Sequence, residues 1–74
     1  MTQSQLAAFV NNAANDLFKC RPFVTTQGSR TAYQWPCFAI VADADDAGNQ
    51  IVGCYGDNPY HVATITAKLQ ARGL

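Results

Sequence analysis

The chain has 74 residues, and its five basic and five acidic side chains balance to a formal charge of zero. Apolar residues make up 49% of it and charged residues 14%, which excludes a disordered charged tail. The absence of a basic excess argues against unaided binding to a phosphate backbone, and no run of about 18 apolar residues is present to span a membrane. We expect one small domain over residues 1–74 and, with no secretory signal visible, a cytoplasmic location.

The first segment predicts a helix over residues 3–19. Thr2 followed by Gln5 fits a capping box at its start. Pro22 biases the preceding residue to an extended conformation, so the helix must end before it. Apolar side chains recur at spacings of three and four and form one stripe, which consists of Leu6, Phe9, Val10, Ala13, Ala14, Leu17 and Phe18.

Three strands are predicted to follow. Residues 23–27 are β-branched and aromatic, and Gly28 with Ser29 forms a turn into a longer strand over residues 31–42. Residues 43–49 predict a turn, because Asp, Asn and Gly dominate them. Residues 50–55 then pair with the second strand as a hairpin.

Pro36 interrupts the second predicted strand and marks an edge, a bulge or a break. In one continuous strand, alternate residues lie on opposite sides. One side would then carry Tyr33, Trp35, Cys37, Ala39 and Val41, and the other Ala32, Gln34, Phe38, Ile40 and Ala42.

A second helix begins at Asn58 and Pro59, which suit the N-cap and the first helical position. Val62, Ile65 and Leu69 form its apolar stripe, and Gly73 is the predicted C-cap residue. The expected fold class is α+β, in the order α-β-β-β-α, with a three-stranded antiparallel sheet and two helices packed on one face.

This order resembles the double-stranded RNA-binding domain over most of the chain. Residues 27–30 fall where that family places its first β–β loop, and residues 58–61 fall where it carries a lysine cluster that contacts phosphates. The only lysine of this helix is Lys68, well past its first turn. The resemblance therefore implies a role closer to the protein-binding versions of the domain.

Cysteine and histidine offer a further class of function. Cys20, Cys37 and Cys54 are odd in number and form no C-x-x-C pair, so we expect free thiols that pack as small buried hydrophobes. With His61 they have the right count for zinc, but their spacing matches no zinc module. We expect no cofactor, and a small thiol or zinc protein that uses Cys37, Cys54 and His61 stays an alternative.

Aromatic and acidic residues indicate a binding surface. Tyr33 and Trp35, with Pro36 exposing an edge, are predicted to form a contact face, because Tyr and Trp dominate interface hot spots. The acidic turn would add a charge-complementary contact to a basic partner through Asp43, Asp45 and Asp46.

The leading hypothesis is therefore a non-enzymatic protein-binding module with no catalytic residues. It would be an inhibitor or adaptor encoded by a phage or mobile element and would dock on a host protein complex. A homodimer is also expected, since a core this small gains stability from association. The third class is a nucleic-acid binder that uses Lys19, Arg21 and Arg30, whose cations would have to converge on one face.

Overall fold

The computed structural model describes residues 2–48 and 50–72, with the side chains of residues 13–15 and 17 left out. The side chains at the predicted stripe positions Ala13, Ala14 and Leu17 and the predicted cap Gly73 therefore lie outside the described part. The elements run in the order α1 (Gln3–Phe9), a π-helical turn (Val10–Ala14), α2 (Asn15–Phe18), β1 (Phe23–Gln27), β2 (Arg30–Trp35), β3 (Phe38–Ala44), β4 (Gln50–Gly56) and α3 (Pro59–Ala71).

The predicted N-terminal helix is confirmed, including its capping box. The hydroxyl of Thr2 accepts a hydrogen bond from the Gln5 backbone N–H, and the Gln5 side chain accepts one from the Thr2 backbone N–H. The helix ends at Phe18, because Lys19 adopts a left-handed conformation with φ of 61°. A left-handed residue is a common way to end a helix, although glycine usually occupies it.

The sheet has four antiparallel strands in the order β1-β2-β3-β4, so the three-stranded prediction is wrong. The predicted strand over residues 31–42 is two strands, joined by a tight turn at Pro36 and Cys37. Proline has a fixed φ and no N–H to donate, which suits a turn and ends the strand. Of the three interpretations of Pro36, the break is confirmed, as is the hairpin between β3 and β4.

The turn changes which residues share a face of the sheet. Trp35 pairs directly with Phe38 and Tyr33 pairs with Ile40, so these four side chains lie on the same face. In the predicted continuous strand they would lie on opposite faces. The prediction that Trp35 shares a side with Ala39 and Val41 is therefore wrong, because chain reversal over two residues changes the alternation.

The second helix is confirmed, with Asn58 as N-cap accepting a hydrogen bond from the Tyr60 N–H at 2.9 Å. Ile65 and Leu69 are buried, and Val62 packs against the core. Both helical segments cover one face of the sheet; the buried core comprises Leu6, Phe9, Val10, Tyr33, Trp35, Phe38, Ile40, Ala42, Ile65 and Leu69.

The observed order α-β-β-β-β-α departs by one strand from the order that resembles the double-stranded RNA-binding domain. In the described ranges, no helix is both long and apolar enough to cross a membrane.

Candidate protein-interaction surface

Tyr33 and Trp35 lie in the core, with only 6% and 7% of their surface exposed. The Trp35 indole N–H donates to the Cys20 carbonyl at 3.0 Å, and the Phe18 ring packs 5.0 Å from the indole centroid. Burial also raises the pKa of the Tyr33 phenol. The prediction that these two aromatics form an exposed contact face is wrong, because the turn at Pro36 directs them towards the helices.

The face of the sheet turned away from the helices is uncovered by any described element. We call it the open face. Strand alternation places on it the side chains of Phe23, Thr25, Gln27, Arg30, Ala32, Gln34, Ala39, Val41, Asp43, Ile51 and Tyr55, with Gly53 between the last two.

Three large apolar side chains of the open face are mostly solvent-exposed. Phe23 is 68% exposed, Ile51 61% and Tyr55 62%. Sequence reasoning did not select them. The signal that could have found them is the alternation within residues 50–55, read together with a turn rather than a strand at Pro36. Ile51 and Tyr55 share β4, whereas Phe23 lies on β1 at the opposite edge of the same face, and large exposed apolar side chains on one face favour a contact surface.

Tyr55 lies along its own strand, over Gly53. A methyl group built on Gly53 would lie 2.8 Å from the Tyr55 hydroxyl and 3.1–3.2 Å from two ring carbons. The missing side chain of Gly53 therefore leaves the space that this ring fills, as aromatic residues do beside glycine in a sheet. Tyr55 is thus held flat between Gly53 and solvent, with a broad apolar surface directed outwards.

An ion pair borders this apolar surface on the open face. The Arg30 guanidinium donates two hydrogen bonds to the Asp43 carboxylate, Nε to Oδ1 and a terminal nitrogen to Oδ2, each at 3.1 Å. The hydrogen bond and the charge of Asp43 raise the pKa of Arg30. Asp43 therefore lies in β3 and is neutralised there, and the prediction that it belongs to the turn is wrong.

The other two predicted acidic residues, Asp45 and Asp46, lie in the turn between β3 and β4. The Asp45 carboxylate accepts a hydrogen bond from the Ala47 N–H at 3.0 Å, which shapes the turn, and Gly48 follows with φ of 84°. Asp45 and Asp46 are exposed. Because β3 and β4 carry Asp43 and Ile51 next to this turn, its negative charge borders the open face.

Pro36 is exposed, but it does not expose a strand edge. It lies in the turn between β2 and β3, which are the two interior strands of the sheet. The edges belong to β1 and β4. The predicted edge at Pro36 is therefore wrong.

Cysteine and histidine are placed differently from the sequence prediction. Cys20 and Cys37 are exposed and Cys54 is half-buried, so only Cys54 resembles the predicted buried hydrophobe. The His61 ring packs edge-on against Phe18 at 5.1 Å. Over residues 2–48 and 50–72, no three His, Cys, Asp or Glu residues lie close enough together to hold a metal ion.

Two of the three cations of the nucleic-acid alternative lie on different sides of the sheet: Arg21 lines a groove with Val10 and Tyr33 on the helix side, and Arg30 lies on the open face. Lys19 and Arg21 precede β1, whereas Arg30 follows the turn at the far end of β1. The five residues of β1, each with a rise of about 3.3 Å, separate them along the sheet. Arg30 is also paired with Asp43.

The chain matches no protein-family model, no curated protein and no solved structure.

Proposed function

We propose that this protein is a non-enzymatic module that binds another protein through its open face. The observation that carries the proposal is the exposure of Phe23, Ile51 and Tyr55 on a sheet face that no described element covers. Fully burying one such side chain contributes about 1.5–3 kcal/mol. The regular sheet holds three such side chains, so the backbone positions of the binding surface are set before the partner binds.

The charge pattern of the open face indicates the chemistry of the partner. Arg30 and Asp43 neutralise each other within the face, so the partner needs no buried charge opposite them. Asp45 and Asp46 carry negative charge at the border. The complementary surface is a protein patch with an apolar centre and lysine or arginine at its rim.

Masking such a patch on a larger complex is the action of an inhibitor, and bridging through it is that of an adaptor. A small protein of a phage or mobile element that docks on a host complex fits this mode of action. The proposal differs from the sequence prediction in its residues: Phe23, Ile51 and Tyr55 replace Tyr33 and Trp35 as apolar anchors.

The test compares three variants of the full chain in affinity capture from a lysate of the source organism. Ile51→Asp and Tyr55→Asp each place a charge in the apolar patch. Tyr60→Asp is the matched control, because Tyr60 is a 68% exposed aromatic residue in the first turn of α3, away from the open face. Circular dichroism and thermal unfolding confirm that all variants are folded.

The expected result is a protein retained by the wild type and the Tyr60 variant and lost by both open-face variants. Its affinity, measured by calorimetry on the purified partner, should fall at least tenfold in Ile51→Asp. Retention of every captured protein by both open-face variants would overturn the proposal. So would capture that nuclease treatment abolishes, since this would indicate a nucleic-acid ligand.

A further inference from the structure

The outer edge of β1 is unprotected. Within residues 2–48 and 50–72, β1 pairs only with β2, and all five of its residues, Phe23–Gln27, are exposed. Natural edge strands usually carry a charge, a proline or a bulge that prevents pairing with another chain. β1 has no charged residue and no proline, and its register with β2 is continuous over all five pairs. The other edge differs, because β4 contains two glycines and packs against α3.

The hairpin geometry defines which backbone groups point outwards. Gln27 and Arg30 flank a two-residue turn, and the pair that flanks such a turn is hydrogen-bonded. Hydrogen-bonded and non-hydrogen-bonded pairs alternate along an antiparallel ladder. Thr25 therefore bonds to Ala32 of β2, whereas Val24 and Thr26 direct their N–H and C=O groups to the free edge.

We propose that this edge pairs with the same edge of a second copy of the chain, which joins two sheets into one of eight strands. A two-fold axis at Thr25 places Val24 of each copy opposite Thr26 of the other. Each of these two pairs exchanges two backbone hydrogen bonds, so all four outward groups per strand find partners. This inference goes beyond the open-face proposal and does not depend on it.

The side chains are compatible with this self-pairing. The two Thr25 side chains meet across the axis on the open face, and Thr–Thr pairs are favourable neighbours between strands. Phe23 lies opposite Gln27 of the second copy. No charged side chain of β1 meets a like charge, because β1 carries none.

A five-residue edge buries less than the roughly 1,200–2,000 Å² of a stable interface. The dimer should therefore be weak and in rapid exchange. Sedimentation velocity of the full chain, in a concentration series that reaches the millimolar range, should show a mass average that rises from monomer towards dimer.

Charge at position 25 gives the decisive comparison. Thr25→Lys and Thr25→Glu each place like charges across the axis and should remain monomeric, whereas an equimolar mixture should dimerise again. Thr25 is exposed, so each variant should fold as the wild type does. A wild type that stays monomeric throughout overturns the inference, and so does a dimer that both single variants retain.

Disulfide trapping tests the register independently. In a chain with Cys20→Ser and Cys37→Ser, Thr25→Cys should form a covalent dimer on mild oxidation, because non-hydrogen-bonded pairs have Cα atoms about 4.5 Å apart. Thr26→Cys is the matched control, since it faces Val24 and not itself. Equal trapping of both variants would contradict the proposed pairing of the β1 edges. A dimer that Ile51→Asp disrupts and Thr25→Lys does not would also contradict it, and would favour the open face as the interface.

Discussion

The indole N–H of Trp35 donates a hydrogen bond to the backbone carbonyl of Cys20, at 3.0 Å. The bond joins the end of β2 to the segment that links the N-terminal helix to β1. Phe18, two residues before Cys20, packs on the same indole and on Phe38, with ring centroids 5.0 Å apart in each pair. Trp35 thus attaches the N-terminal helix to the sheet, which is a structural role rather than a binding one.

Replacing Trp35 by Phe should therefore lower stability. The variant keeps an aromatic ring but loses the part-buried hydrogen bond to the Cys20 carbonyl, and a typical hydrogen bond contributes about 0.5–1.5 kcal/mol to stability. Lost ring volume adds to this cost. Urea unfolding followed by circular dichroism measures the free energy of unfolding. Tyr55→Phe is the control and should change stability little, because Tyr55 is exposed; equal stability of wild type and Trp35→Phe would show that the bond is unimportant.

Two glycines of β4 should respond differently to alanine. A methyl group on Gly56 would lie 2.7 Å from a ring carbon of buried Phe38 and 3.0 Å from the Cys37 carbonyl oxygen. Neither neighbour can move freely, so Gly56→Ala should destabilise the fold by about 1–3 kcal/mol. Thermal and urea unfolding of the purified variant provide the measurement.

Gly53→Ala is the matched comparison. The three atoms nearest to its new methyl group all belong to the exposed end of the Tyr55 side chain, which can swing away. Stability should change by no more than about 0.5 kcal/mol. Binding through the open face should weaken, because the Tyr55 ring no longer lies flat on the strand. A Gly53→Ala variant as unstable as Gly56→Ala would indicate that the Tyr55 ring is fixed.

Local signals were sufficient to predict the helices but not the faces of the sheet. The capping box at Thr2 and the Asn58–Pro59 helix start act through neighbouring residues, so the sequence reveals them directly. Which residues share a face of the sheet depends on whether Pro36 lies in a turn or in a bulge. A turn there, in place of a bulge, moves Trp35 from the contact face predicted from the sequence into the core, and composition alone does not distinguish a turn from a bulge. The apolar side chains of the open face were missed for the same reason.

Replacing Lys19, the left-handed residue at the end of the N-terminal helix, by glycine should stabilise the protein. Lys19 has φ of 61°, a conformation that costs a residue with a side chain about 1–2 kcal/mol. Glycine adopts it without steric cost but loses more entropy on folding. Lys19→Gly should therefore raise the free energy of unfolding by about 0.5–1 kcal/mol. Lys19→Ala removes the same charge and keeps the steric cost, so a similar gain in both variants would assign the effect to charge.

Cys54 should be the slowest of the three thiols to react. Burial raises its pKa above the usual 9.0, and a hydrogen bond with Thr66 opposes part of that rise. The neutral Cys54 thiol contributes fully to stability below the pKa that it has in the unfolded chain. This contribution is lost as the pH rises through the pKa that Cys54 has in the folded protein, because the fold disfavours the thiolate. Site-resolved mass spectrometry of iodoacetamide labelling should show rapid modification of exposed Cys20 and Cys37 and slow modification of Cys54. Thr66→Val removes the opposing hydrogen bond and should slow Cys54 further, provided the variant unfolds at the wild-type temperature. Labelling of native Cys54 as fast as that of Cys37 would show that α3 does not shield it.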